Sequence, residues 1–213
     1  MGIKINAYIT ADPVFSMNPA EREIAVQQLI NEGVEEGQRF FIIAVRNFKN
    51  NDRELEEKTA QFAKYVYEKH GYIPVFLPMQ ICYDLEIAKR ISGLLDIPNV
   101  VLEKNFSSPV MLGIVGEAEF VLGMRLHTLI YALRMAVPVM ALDYDPKVTA
   151  VMSDSNQKYI LKAEDVDVEK MCIFADEIVE RRTTIREGLE ELAQKNKALA
   201  EKNADVAVKI IRE

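Results

Sequence analysis

The sequence predicts an α/β protein with an open, doubly wound, mainly parallel sheet. From residue 39 onward, short apolar segments alternate with segments of helical period, which is the pattern of repeated βα units whose sheet is covered on both faces. The chain has 213 residues, of which 49% are hydrophobic and 28% charged, so it can bury the core of one large domain.

Six apolar segments have the length and composition of buried strands. The first, FFIIAVR, is a continuous apolar run that ends at Arg46, as is typical of a parallel strand covered on both faces. Pro74 lacks an N–H donor, so we expect the second strand to lie near an edge of the sheet or to be irregular. The six predicted strands are residues 40–46, 72–78, 99–103, 119–123, 138–144 and 157–161.

Helices are predicted between the strands, where residues typical of helix ends flank amphipathic segments. Gly71 is expected to end the first helix, and Asp84 to cap or open the second. Ser108 is expected to cap the third, and Asp145 with Pro146 to begin the fifth. The predicted helices are residues 52–70, 84–95, 108–117, 124–135 and 145–154, followed by a helical region that extends to residue 213.

The chain divides into three predicted segments. Residues 1–35 form a linker and a helix that lead into the domain, residues 36–162 form the wound sheet domain, and residues 163–213 form a C-terminal helical segment. The last segment is rich in Glu, Lys and Ala with a sparse apolar stripe, which is typical of a solvated helix that packs across a domain. Because a linker precedes the first strand, we expect the chain to be part of a longer protein.

Charge and composition disfavour several classes of function. The net charge of −7 and the sequence pI of about 5.1 remove the general attraction for phosphate backbones, so no nucleic-acid partner is expected. No apolar run approaches the roughly 18 residues of a membrane span, and no signal peptide is recognisable, which predicts a cytoplasmic protein without a transmembrane segment. Cys82 and Cys172 are expected to be buried free thiols. Metal-ligand spacing and nucleotide-binding glycine motifs are absent from the sequence, so no metal and no cofactor is predicted.

Four groups that carry or can carry positive charge directly follow predicted strands. Arg46 ends the first strand, and Lys147 follows the fifth. Arg125 and His127 follow the fourth. Because the carboxyl ends of parallel strands meet at one edge, where such sheets bind ligands, we expect these side chains to face a common site. In an acidic protein this local positive charge predicts a small anionic ligand with phosphate or carboxylate groups.

The position of Arg125 and His127 at a helix start leaves two interpretations. A helix N-terminus disfavours cations, so a negative ligand would account for placing both there. Side chains two residues apart point about 200° apart on a helix, so one must precede the helix if both are to converge. In the structural alternative, which the residue types leave equally open, His127 is hydrogen-bonded in the core and Arg125 pairs with an acid such as Glu119. His70 is expected at the surface.

Two segments carry a resemblance to a known family. GMRLHTLIYAL, residues 123–133, followed by VPVMALDYDPKV, residues 137–148, closely resembles the polysaccharide pyruvyltransferases, in particular their CsaB-like branch. ITADPVF, the strand-end arginine of IAVR, and LPMQ followed by Asp84 are also similar to that branch. The resemblance implies a GT-B-type architecture of two Rossmann-like domains, of which this chain matches the C-terminal, donor-binding one.

The resemblance also implies a reaction and its participants. The enolpyruvyl group of phosphoenolpyruvate is transferred to two hydroxyls of a sugar, giving a cyclic ketal and phosphate. In the CsaB-like branch the acceptor is a lipid-linked saccharide containing N-acetylmannosamine, and the resulting wall polymer anchors S-layer proteins. This implies a cytoplasmic enzyme that is peripheral at the inner face of the membrane. The family's glycine-rich N-terminal domain is the expected partner, and without it this chain is expected to be inactive.

The family's chemistry assigns roles to the four candidate groups. Arg125 and Lys147 are expected to bind the anionic ends of phosphoenolpyruvate, with Arg46 as a further substrate-binding residue. His127 is the expected catalytic acid, because the alkene must be protonated before a sugar hydroxyl attacks.

Two other functions remain open on the sequence alone. In one, the chain is the nucleotide-sugar-binding half of a GT-B glycosyltransferase or epimerase, with Glu117 or Glu119 holding a ribose. In the other, it is a non-catalytic binding domain whose cationic edge is a protein interface.

Overall fold

Six parallel strands form one sheet in the order β3-β2-β1-β4-β5-β6 in the computed structural model. The structure describes residues 8–48 and 52–212, without the side chains of Asp52, Ile210 and Arg212. The strands are β1 Phe40–Ala44, β2 Ile73–Phe76, β3 Val100–Val101, β4 Val121–Gly123, β5 Val139–Asp143 and β6 Ile160–Lys162. All six predicted strands are confirmed, each somewhat shorter than its apolar segment.

Eight α-helices accompany the strands within the described residues. They are α1 Arg22–Asn31, α2 Asp52–His70, α3 Ile81–Gly93, α4 Ser108–Gly116, α5 Leu126–Arg134, α6 Pro146–Asp154, α7 Val168–Glu180 and α8 Arg182–Arg212. A short 3-10 helix, Pro13–Ser16, precedes α1. Every predicted helix is present, and Gly71 ends α2 in the left-handed conformation, with φ 71°.

The sheet separates two apolar cores, because successive residues of each strand point to opposite faces. Along β1, Phe40 and Ile42 enter one core, while Phe41 and Ile43 enter the other. Helices α1, α4, α5, α6 and α8 contribute to the first core, and α2, α3 and α7 to the second. The doubly wound α/β fold class is therefore confirmed.

Pro74 lies in β2, which is internal but directly adjoins the edge strand β3, so the expectation of a position near an edge is confirmed. The N–H of Ile73 donates to Arg39 O at 3.1 Å, and the N–H of Leu77 to Ile43 O at 3.0 Å, so odd-numbered donors of β2 face β1. The nitrogen of Pro74 therefore faces β3, where pairing begins only at Val75. The missing N–H falls just outside the ladder, which is why an internal strand tolerates this proline.

The C-terminal segment packs on both faces of the sheet. Helix α7 packs against α2, while α8 contacts α5 and the 3-10 helix. Asn203 Nδ2 of α8 donates to Ala11 O at 3.0 Å, which ties the two ends of the described chain together. The division into residues 1–35, 36–162 and 163–213 stays a prediction. None of the helices in the described residues has the length and hydropathy of a membrane span.

Two expectations about solvent exposure were wrong, one for His70 and one for the cysteines. His70 is not a free surface residue: its side chain is only 14% exposed and its Nε2 lies 2.9 Å from Asp176 Oδ1, because α7 covers the end of α2. Cys82 is exposed, since it lies in the first turn of α3, and Cys172 on α7 is half-buried. Burial raises the pKa of the Cys172 thiol to about 11, so that thiol is protonated and unreactive at neutral pH.

Candidate functional site

The four candidate groups follow three neighbouring strands at the carboxyl edge of the sheet. β4 lies between β1 and β5, with Gly123 paired to Ala44 on one side and to Ala141 on the other. Arg46 comes two residues after β1, Arg125 two residues after β4, and Lys147 four residues after β5. The chain order of the strands reverses between β1 and β4, so the three junctions surround the crevice where sheets of this type bind ligands.

Arg125 is the N-cap of α5 and lies outside the helix. Its backbone is extended, with φ −77° and ψ 131°, whereas His127 is the second residue of the helix proper. The two side chains could converge only if one of them preceded the helix. The structure meets that requirement at Arg125.

An ion pair with Asp84 holds the Arg125 side chain. Nε lies 3.1 Å and Nη2 2.5 Å from carboxylate oxygens of Asp84, and the two side chains are 15% and 1% exposed. The structural alternative was right to give Arg125 an acidic partner but named the wrong one. Glu119 instead contacts Arg39 at 3.0 Å and Arg182 at 2.8 Å, at the opposite edge of the sheet.

Asp84 was predicted from the sequence to cap or open a helix and was not assigned to the site, and it does act at the helix start. Gln80 is the N-cap of α3, and its N–H donates to Asp84 Oδ2 at 3.0 Å. The ion pair with Arg125 is separated by 41 residues in sequence, so no local pattern could have revealed it. The sequence signals were the position of Asp84 near the start of the helix after β2 and its place in the segment, LPMQ followed by Asp84, that resembles the CsaB-like branch.

His127 and Lys147 are exposed to solvent at the same edge. Neither side chain hydrogen-bonds or pairs with another side chain in the described part of the protein, so the core alternative for His127 does not hold. Asp145 caps α6 as predicted: its Oδ1 accepts from the N–H of Lys147 at 2.9 Å, with Pro146 at the first helical position. Capping fixes the backbone of Lys147 and leaves its ammonium group available.

Tyr144 joins the loop after β5 to the loop after β1. Arg46 Nη1 lies 3.4 Å from Tyr144 OH, and the guanidinium carbon lies 5.2 Å from the ring centroid. The ring of Phe48 packs edge-on against Tyr144 with centroids 5.7 Å apart. The strands that carry these loops flank β4, so the contact crosses the end of β4, close to the start of α5. Tyr144 was not among the site residues predicted from the sequence.

Asp143, the last residue of β5, fixes the turn that carries Lys147. Its carboxylate is 4% exposed and accepts hydrogen bonds from Thr149 Oγ1, at 2.7 Å, and from Lys162 Nζ. Burial alone would raise the pKa of Asp143. The hydrogen bonds from Lys162 and Thr149 together lower it by more, so the pKa lies below its ordinary value. Asp143 is therefore a carboxylate at neutral pH, tied to β6 and α6.

The four candidate side chains at this edge are held in different ways. Arg46 and Arg125 are held by neighbouring side chains, whereas His127 and Lys147 are exposed and neither hydrogen-bond nor pair with another side chain among the residues that the structure describes. Among the described residues, His, Cys, Asp and Glu side chains form no group of three that could hold a metal ion.

Comparison with known proteins identifies the family of the chain. The model of the polysaccharide pyruvyl transferase family matches residues 1–146. The chain belongs to the polysaccharide pyruvyl transferase family. The matched region of this pyruvyl transferase domain contains Arg46, Asp84, Arg125 and His127 and ends one residue before Lys147. No curated protein shows a significant sequence match to the chain.

Solved structures similar to this pyruvyl transferase domain are GT-B glycosyltransferases and epimerases. A UDP-GlcNAc 2-epimerase from Neisseria meningitidis, bound to UDP-GlcNAc, superposes with a TM-score of 0.64 at 12% identity, over 94% of this chain and 55% of that chain. A putative UDP-N-acetylglucosamine 2-epimerase from Listeria monocytogenes gives 0.59 at 13% identity, over 83% and 46%. The C-terminal domain of a group 1 glycosyl transferase from Francisella tularensis gives 0.54 at 14% identity, over 89% and 96%.

These likenesses establish the fold, a Rossmann-like half of a GT-B-type architecture. The chain spans about half the length of the two epimerases that it matches.

Proposed function

We propose that this chain is the donor-binding half of a polysaccharide pyruvyltransferase that uses phosphoenolpyruvate. The observation that carries the proposal is the grouping of Arg46, Arg125, His127 and Lys147 at three adjacent strand ends around the reversal of strand order. Phosphoenolpyruvate carries a phosphate and a carboxylate on one small skeleton. Two separated anionic groups match a site with several cationic side chains on different loops.

Binding roles follow from how each side chain is held. Arg125 is fixed on its Nε and Nη2 side by Asp84. Its Nη1 donors bond no other side chain in the described part of the chain, so they can face a phosphate or carboxylate. Lys147 is a mobile point charge on a capped helix start, suited to the other anionic end. Arg46 lies against Tyr144 and supplies a further contact from the β1 side.

In the proposed chemistry, His127 acts as the acid. Imidazolium gives a proton to the methylene carbon, the adjacent carbon becomes cationic, and the first sugar hydroxyl adds to it and loses its proton to the imidazole. Departure of phosphate regenerates a cationic carbon, which the second hydroxyl attacks. The second hydroxyl proton leaves with the phosphate. The products are a ketal bearing a methyl and a carboxylate group, and inorganic phosphate.

The acceptor proposed is a lipid-linked saccharide containing N-acetylmannosamine, whose polymer anchors S-layer proteins. This rests on the resemblance of residues 123–133 and 137–148 to the CsaB-like branch, and with it we propose action at the cytoplasmic face of the membrane. The acceptor would lie between this chain and an N-terminal domain of the same enzyme. Without that domain the chain is proposed to bind donor without turnover.

Calorimetric titration of the chain with phosphoenolpyruvate and with uridine diphosphate tests the donor. We expect saturable binding of phosphoenolpyruvate and a preference for it over the nucleotide. Lys147→Ala should weaken binding about tenfold, the usual effect of losing one hydrogen bond to a charged group. Lys170→Ala is the matched control, because Lys170 is also an exposed first-turn lysine whose N–H bonds a capping aspartate.

Histidine variants extend the same titration. His127→Asn should weaken binding of phosphoenolpyruvate, while His70→Asn should leave it unchanged, since His70 is held by Asp176 on a distant helix pair. Preferential binding of uridine diphosphate, or no binding of phosphoenolpyruvate, would refute the proposed donor. Unchanged affinity in both Lys147→Ala and His127→Asn would refute the proposed site.

A further inference from the structure

We propose that Asp84 is a positioning residue of the donor site: its buried carboxylate orients Arg125 so that the outer guanidinium N–H groups face the phosphoenolpyruvate anion. This inference rests on the proposed function and adds to it a residue that does not itself touch the donor.

The ion pair bridges two loops that flank the end of β1. Asp84 lies in the first turn of α3, which follows β2, and Arg125 caps α5, which follows β4. β1 runs between β2 and β4 in the sheet. The Asp84–Arg125 contact therefore crosses the edge of the sheet beside the reversal of strand order, where the ligand is expected.

The carboxylate of Asp84 is also held by a backbone group, independently of Arg125. Oδ2 accepts from the N–H of Gln80 at 3.0 Å and from Arg125 Nε at 3.1 Å, while Oδ1 accepts from Arg125 Nη2 at 2.5 Å. One acceptor bond thus comes from the backbone of the helix start. The backbone at the start of α3 thus holds the Asp84 side chain, which in turn orients the guanidinium of Arg125.

Burial makes the arrangement rigid. A carboxylate that is 1% exposed is stable as an anion only with a matched partner, and arginine cannot lose its proton to escape the pair. Arg125 therefore keeps one orientation in the absence of ligand. Of the five N–H donors of an arginine, Asp84 takes the one on Nε and one of the two on Nη2. No described residue accepts from Nη1, so its two donors are left for the donor substrate. Binding then costs little side-chain entropy at this residue.

Charge alone predicts the opposite effect for Asp84. A negative charge beside the site repels a dianion, so a purely electrostatic role predicts that removing the charge tightens binding. Positioning predicts that removal weakens binding, because Arg125 then samples other orientations. A role in folding alone predicts an unchanged Kd with fewer competent molecules. The sign of the change in Kd separates these three roles.

The experiment is calorimetric titration of phosphoenolpyruvate into the wild-type chain and Asp84→Asn, with stoichiometry and Kd fitted separately. We expect about a tenfold rise in Kd, the scale of losing a side chain that orients a ligating group. The matched control is Glu119→Gln, which removes another shielded carboxylate from two arginines, but at the amino edge of the sheet. That control should lose stability and keep the wild-type Kd.

A second variant and an NMR measurement cover the case in which Asp84→Asn does not fold. Asp84→Glu keeps the charge and displaces the carboxylate, so it should also raise Kd. In ¹⁵N spectra the Nε–H signal of Arg125, assigned with Arg125→Lys, should be sharp in the wild type and broadened or shifted in the variants. A Kd equal to or below that of the wild type in whichever variant folds overturns the role of Asp84.

The two proposals fail in different ways. If the wild type does not bind phosphoenolpyruvate, the proposed function is refuted and the role of Asp84 falls with it. If the wild type binds and the Lys147→Ala and His127→Asn variants weaken binding while the Asp84 variants do not, only the role of Asp84 is refuted.

Discussion

Asp176 on α7 collects three side chains of α2 around one carboxylate. Tyr65 OH donates to Oδ2 at 2.8 Å, Lys69 Nζ donates to the same oxygen at 2.6 Å, and His70 Nε2 lies 2.9 Å from Oδ1. Burial alone would raise the pKa of Asp176. The hydrogen bonds from Lys69, Tyr65 and His70 together lower it by more, so the pKa lies below its ordinary value. The pair of helices is thus joined through an ionised carboxylate.

Acid should loosen this contact. Because the folded-state pKa of Asp176 lies below its unfolded value near 4, the stabilisation is fully present above about pH 4 and is lost as the pH falls through the folded pKa. Asp176→Asn should lower the free energy of unfolding at pH 7 and flatten its decline between about pH 4 and pH 2. Urea unfolding across this range measures both effects. Glu169→Gln, an exposed acid on the same helix, is the control; an equal effect there would contradict the assignment.

At the residue scale, the sequence identified where charges lie but not what they touch. The positions of Arg46, Arg125 and Lys147 after strands followed from local patterns alone. The Asp84 partner of Arg125 and the Tyr144 contact of Arg46 span 41 and 98 residues of sequence. Such partners depend on which strands become neighbours in the sheet, and a single sequence does not specify that order.

Helix packing at α1 and α4 depends on the absence of a side chain. A Cβ on Gly113 of α4 would lie 2.9 Å from the Ala25 Cβ of α1 and 3.4 Å from Ala20 O. The small side chain at position 25 cannot move aside, since it is one carbon fixed to the backbone. A Cβ on Gly188, inside α8, would have no neighbouring atom of the described residues within 4 Å.

The same substitution should therefore have opposite effects in two helices. Gly113→Ala should destabilise the protein by about 1–3 kcal/mol, because the clash separates α1 from α4. Gly188→Ala should stabilise it by about 0.5–1 kcal/mol. Alanine reduces the conformational entropy of the unfolded chain and has a higher helix propensity than glycine. Chemical denaturation of both variants measures the difference. A Gly113→Ala protein as stable as the wild type would show that the two helices separate freely.

At the scale of elements, periodicity predicted the kind of each helix and strand, and the ends were less well predicted. The strand expected at residues 99–103 contains only the two-residue β3. Its pairing with β2 ends at Val101, although the N–H of Leu102 still donates to Phe76 O. The helix expected from residue 84 begins at Ile81 with Gln80 as its N-cap, since Asp84 supports the helix start from within the first turn. Capping by a side chain inside the helix leaves no clear boundary in the sequence.

The whole molecule shares one sheet between two cores, and the C-terminal helices enter both. Ile178 of α7 lies in one core, and Leu189 and Ala200 of α8 lie in the other. Helices α7 and α8 therefore pack into the cores that the sheet separates and stabilise the sheet domain.

Thermal unfolding should accordingly show one transition that a ligand shifts as a whole. Phosphoenolpyruvate at a hundred times its Kd should add about 2.7 kcal/mol, which for a domain of this length raises Tm by roughly 5–10 °C. Scanning calorimetry with and without the ligand measures the shift, and uridine diphosphate at the same concentration should produce less. Two transitions, of which only one responds, would show that the C-terminal helices unfold separately.

Both edge strands of the sheet are short: β3 has two residues and β6 has three. A long border strand exposes a row of unpaired backbone groups on which a strand from another molecule can assemble. Here neither side offers enough consecutive groups to set a register for such an added strand. Lateral polymerisation of the sheet is thereby disfavoured, even while the protein is crowded or newly made.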